Sequence, residues 1–225
     1  MLKFIYTTII LSAFTLVLKA QPSFKGGETA LNNFLTKNII YPDYSRRNCI
    51  AAVIRVAFRV DESGKVSEVK VQQGLGIDLD DEAVRVIKMT SGKWQVPAGS
   101  GGAARLVLPV RFTPDYSLCR SYGTTNTINT EAAIASYQIR QEQENAVTNY
   151  YINKYKGTAN SANEASIIAL KDQLGIDEEF LNSLLEQADK KLKQGDKEGA
   201  CTDWNFIKNT GSNLADKFIS QYCGK

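Results

Sequence analysis

The stretch Ala51–Val60, AAVIRVAFRV, decides the fold. Ile54, Val56, Phe58 and Val60 alternate with Val53, Arg55, Ala57 and Arg59. A period of two puts the apolar set on one face of a β-strand and the two arginines on the other. One face is buried and the other solvated, the pattern of an antiparallel sheet covered on one side. Asp61-Glu62-Ser63-Gly64 reads as a turn, with Gly64 free to take positive φ, and Lys65–Gln72 as the second strand of a hairpin.

Upstream, Pro22–Gly27 reads as an irregular lead-in. Glu28–Asn38 spaces Leu31, Phe34 and Leu35 for one face of a helix, which Tyr41-Pro42 ends. Downstream, Gly74-Leu75-Gly76 lacks the lysine and hydroxyl residue of a phosphate loop, so both glycines read as turn residues. Asp78 or Asp80 is expected to cap the next helix, whose Leu79, Ala83, Val86 and Ile87 share a face. Ser91–Gly99 reads as a loop holding Trp94. The third strand, Ala104–Phe112, puts Leu106, Leu108, Val110 and Phe112 on one face and Arg105, Val107, Pro109 and Arg111 on the other. Proline cannot donate to a ladder, so Pro109 assigns this strand to a sheet edge. The order helix, strand, strand, helix, strand predicts an α+β domain. Its three-stranded antiparallel sheet has the spatial order second–first–third, with two helices on one face.

The chain has 225 residues, a net charge of +3 and no histidine. The charge is too small to argue for nucleic acid. The missing imidazole removes the commonest general base and metal ligand. With no nucleophile elbow or metal cluster, the expectation is a protein without enzymatic activity, cofactor or small-molecule substrate. Lys3, the apolar run Phe4–Leu18 and the small residue Ala20 read as an export signal (residues 1–20) cleaved after Ala20. The alternative is an anchor retained through residues 4–18, although a membrane span needs ~20 residues. The cleaved form is expected in the periplasm, and the alternative is anchoring in the inner membrane through residues 4–18.

Several motifs in order carry a resemblance: Phe24-Lys25-Gly26-Gly27-Glu28, Tyr41-Pro42, Val60-Asp61 with Gly64-Lys65-Val66, Asp80–Arg85, Lys93-Trp94 with Pro97-Ala98-Gly99, and Leu108–Phe112. Together, over residues 22–113, they resemble the TonB C-terminal domain family. The resemblance implies a periplasmic module that captures a segment of an outer-membrane transporter by strand addition to its last strand. Arg105, Val107, Pro109 and Arg111 would form that partner-binding edge. The chain has no extended proline-rich spacer to transmit a pull. The alternative function is therefore an envelope scaffold that binds other protein partners without energy transduction.

Residues 21–115 are read as this domain, 116–130 as a polar linker and 131–225 as a helical domain. Helices are expected over Glu131–Lys156, Asp177–Gln194, Lys197–Asn209 and Leu214–Cys223. The segment from Gly195 to Trp204 resembles one helical hairpin of the tetratricopeptide kind, and a solenoid needs about three. A small bundle is the simpler expectation.

An exported chain with four cysteines points to disulfides. Cys49 precedes the first strand and Cys119 follows the antiparallel third, so these two are expected to pair. Cys201 and Cys223 flank the Thr210-Gly211 turn with an offset of roughly 5 Å along a helix pair, within bridging range. Buried free thiols are the alternative for some of the four.

Overall fold

A computed structural model describes residues 21–97, 104–117 and 130–224. The export signal read in residues 1–20, Cys119, and most of the 116–130 linker lie outside the described residues.

The hairpin pairs β2 (Ala52–Val60) with β3 (Val66–Gln73). Its turn is held by one carboxylate: Asp61 Oδ1 accepts from Ser63 N (2.9 Å), Ser63 Oγ (2.6 Å) and Lys65 N (2.9 Å). Gly64 has φ +82°, and a Cβ there would lie 2.5 Å from the Trp94 carbonyl oxygen, so conformation and space both require glycine. β5 (Ala104–Phe112) pairs antiparallel with the whole length of β2, Ala52 opposite Phe112 and Val60 opposite Ala104. The order is β3-β2-β5, as the succession of elements predicted.

Ile54, Val56, Phe58, Val60, Val110 and Phe112 are buried beneath α1 (Gly27–Asn38) and α3 (Asp78–Lys88). Each large side chain removed from water in this layer contributes about 1.5–3 kcal/mol. The lead-in and the tryptophan loop, read as irregular, instead form a second, two-stranded sheet, β1 (Ser23–Phe24) with β4 (Trp94–Gln95). Trp94 is buried, donates from Nε1 to Thr90 Oγ1 at 2.9 Å, and packs its ring 5.5 Å from both Phe24 and Phe58. This small sheet closes the end of the core, which two residues per strand are too short to announce in sequence.

Neither Asp78 nor Asp80 caps α3. Ile77 occupies the cap position, and its side chain has no hydrogen bond to offer. Asp78 instead binds Ser45 through N (3.1 Å) and Oγ. Asp80 accepts from Leu75 N (3.0 Å) and Gly76 N (2.9 Å), folding back over the loop. A Cβ on Gly74 would lie 2.2 Å from that carboxylate, so this glycine clears room for an acid. Ser45 lies in α2 (Asp43–Arg47), a single turn too short to leave a periodic signature.

The helical half contains α4 (Thr130–Tyr155), α5 (Glu164–Leu174), α6 (Glu178–Lys193), α7 (Lys197–Asn209) and α8 (Asp216–Phe218), which widens into a π-helical turn over Ile219–Cys223. Asp177 and Asp196 cap α6 and α7, accepting from Phe180 N (2.8 Å) and Gly199 N (2.9 Å). Trp204 is wholly buried, with Phe218 and Tyr222 stacked at 5.3 and 5.6 Å. A disulfide joins Cys201 to Cys223 with Cα atoms 5.7 Å apart. Cys49 is also disulfide-bonded.

The apolar stripe of α4 looks thin in sequence because the helix serves two cores. Ala133, Ile134 and Tyr137 pack on the sheet core, whereas Val147, Tyr150 and Tyr151 pack in or against the helical one. The two halves therefore share a helix. Among the described residues no helix is long and apolar enough to cross a membrane.

Candidate binding edge and the cleft between the halves

The described sheet has two outer edges, and they differ. β3 is irregular: its register against β2 shifts twice, and Glu68 holds φ +50° at a bulge. Bulges and charges blunt an edge against pairing. β5 keeps unbroken register over nine residues, a straight rim of roughly 30 Å. Among the described residues no strand pairs with its outer side.

The structure places all four predicted edge residues on the solvated side of β5. Arg105, Val107, Pro109 and Arg111 are exposed, while Val110 and Phe112 are buried. Because Pro109 has no N–H, its backbone faces away from β2 without loss, and the same alternation turns Arg105, Val107 and Arg111 outward. The adjoining face is basic. Arg105 stands directly opposite Arg59, and Pro109 opposite Arg55. Arg59 is paired with Glu68 at 2.9 Å, whereas Arg105 and Arg111 have no ion pair among the described residues. Like charges directly opposed across strands are unfavourable by a few tenths of a kcal/mol, a penalty that an acidic neighbour would relieve.

The second feature was not foreseen from sequence. The helical half folds back towards α2 and α3, with a cleft of about 530 Å³ between. One seam of it is a charged latch centred on Arg85. This guanidinium donates to Glu82 (2.6 and 2.7 Å), to the Asn38 carbonyl (2.7 Å), and across the seam to Gln194 (3.1 Å) and Asp196 (3.2 Å). Burial pulls the Arg85 pKa down, but the hydrogen bond and charge of Glu82, then those of Asp196, outweigh it and leave it raised. Glu82, 5% exposed, also accepts from Ile40 N at 2.6 Å. A second link runs through α4: Tyr44 Oη donates to the Ala133 carbonyl at 2.7 Å, and the Tyr44 and Tyr137 rings meet edge to face at 4.9 Å.

Most charges around the cleft are matched. Arg47 pairs with Asp43 at 2.7 Å and Arg140 with Glu144 at 2.7 Å. Lys191 sits 2.7 Å from Asp203, whose pKa burial nevertheless holds above the usual carboxylate range, against the pull of Lys191. Asp78 and Asp81 are left over: their pKa values are raised, each chiefly by desolvation. Among the described residues no three of His, Cys, Asp or Glu stand together so as to hold a metal ion.

A small antiparallel sheet, helices on one face and a regular open edge strand together define a platform suited to strand addition. Residues 37–114 match the family model described as Gram-negative bacterial TonB protein C-terminal. Over those residues the sheet half is similar to that family. The match starts after the Phe24–Glu28 motif, ends just beyond β5 and leaves the helical half outside it. No curated protein and no solved structure gave a significant match to the chain.

Proposed function

We propose that the protein is a periplasmic binding module, without enzymatic activity, that engages an outer-membrane transporter by strand addition along the outer edge of β5. The observation that carries this reading is the contrast between the two sheet edges: β3 is bulged and blunted, β5 is straight and open. An incoming strand would pair with the outward backbone groups of Arg105, Val107 and Arg111 and skip Pro109. Acidic residues on that strand would answer Arg105 and Arg111.

A second reading is an envelope scaffold serving other protein partners. The helical half favours it, because α4 and the Arg85 latch join that half firmly to the sheet domain. A partner could then be held by the pair of domains rather than by an edge alone.

Photocrosslinking in intact cells separates the two. A crosslinking residue at position 107 is expected to capture an outer-membrane transporter, identified by mass spectrometry, and one at position 70 on β3 is not. Val107→Pro deletes an outward N–H while sparing the ladder to β2, and is expected to abolish the capture with the fold intact. Capture of the transporter from position 70 but not 107 would refute edge recognition. Capture from 107 of envelope proteins other than a transporter would favour the scaffold.

A further inference from the structure

We infer that the cleft between the two halves is a binding site for an organic cation, an ammonium or guanidinium group carried on an apolar body. The inference is independent of strand addition at β5.

The first ground is charge. Once Arg47, Arg85, Arg140 and Lys191 are each matched with a carboxylate, Asp78 and Asp81 remain in the wall without a cation. They lie three residues apart on α3, hence on one helix face roughly 5–6 Å from each other. Asp78 is held by neutral donors, chiefly those of Ser45, and Asp81 makes no hydrogen bond or ion pair among the described residues. Asp78 is half-buried and Asp81 exposed at the cleft wall, so a cation between them would meet two carboxylates that no cation of the chain answers.

The second ground is shape and surface. Tyr44, Tyr137 and Phe180 line the same cleft, so a cation there meets aromatic rings as well as carboxylates. Rings with carboxylates form the usual surroundings of bound ammonium and guanidinium groups. Arg47 already lies 5.9 Å from the centre of the Phe180 ring, an internal instance of the same contact. At about 530 Å³ the cleft has the size of ordinary ligand pockets.

The third ground is Asp203 on the helical side. It is 8% exposed, and its Oδ2 accepts no hydrogen bond, although the Lys191 ammonium is 2.7 Å away. Lys191 donates to Oδ1 at 2.8 Å, so the ion pair compensates the charge while the buried Oδ2 is left without a hydrogen bond.

Such a cation has two sources, a free aliphatic polyamine or a basic side chain of a partner protein. The test is calorimetric titration of the full chain at low salt with spermidine and, separately, with the blocked tripeptide acetyl-Gly-Arg-Gly-amide. Saturable one-to-one binding of either is expected, and the tighter of the two names the source. Asp81→Asn is expected to weaken it at least tenfold. Glu68→Gln, the same charge change on the far edge of the sheet, is expected to leave it within twofold. Near-ultraviolet circular dichroism establishes that each variant is folded. Absence of saturable binding by both probes would overturn the inference, as would equal weakening by the two substitutions.

Discussion

Phe58 in the sheet half and Trp204 in the helical half are both fully buried, yet their surroundings are assembled by different rules. Phe58 is caged by strands and loops distant in sequence, with Leu106 opposite it on β5 and Trp94 packed on its ring. Trp204 is caged by neighbours on α6, α7 and the last turns, closed by a disulfide spanning 22 residues. Long-range pairing gives the sheet one solution, since a slip of one residue would expose its apolar face. The helical half has local contacts, a staple and a borrowed helix. α4 and the Arg85 latch tie the two together. The comparison teaches that the seam, being polar, is where this molecule can come apart without either core dissolving.

The largest expected effects come from the cores. Phe58→Ala and Trp204→Ala should each cost about 3–5 kcal/mol. The two tryptophans, one per half, make the comparison measurable by fluorescence in urea, Trp94 reporting the sheet and Trp204 the helices. Phe58→Ala keeps both reporters and is expected to lower the Trp94 midpoint while the Trp204 signal keeps its own. A matching drop in both would mean that the halves unfold as one unit.

Next comes the latch. Arg85→Ala leaves Glu82 buried without its cation and should cost about 3–5 kcal/mol. Its signature is a wider gap between the Trp94 and Trp204 midpoints than in the wild type, because the bonds to Gln194 and Asp196 are lost as well. If the gap does not change, α4 rather than the latch couples the halves.

The smallest effect is a pH dependence. Desolvation raises the Asp81 pKa in the folded protein above its ordinary value near 3.9. A raised carboxylate contributes stability that is fully present below the unfolded value and lost as pH rises through the folded one. The melting temperature of the wild type relative to Asp81→Asn should therefore fall as pH is raised from the ordinary carboxylate range towards neutrality. Thermal melts across that window check the sign, and a difference that stays flat with pH would mean that Asp81 is not desolvated.

By itself the sequence determined the sheet. Alternation in Ala52–Val60 and Ala104–Phe112 gave the faces, the succession of elements gave the strand order, and Pro109 marked the open edge, because each is a local property of the chain. It was silent on α2 and on β1 with β4, which are too short for a period to show, and on α5, which has no broad apolar stripe. It misassigned Asp78 and Asp80, because an acid at a helix start reads as a cap until the loop beside it is seen. Only the tertiary structure decided that α4 changes cores midway along its length, that Arg85 reaches across to Gln194 and Asp196, and that Asp78 and Asp81 face a cleft. Those facts depend on where residues 89 to 111 positions apart come to rest. No local propensity encodes such a distance; only packing the two halves against each other does.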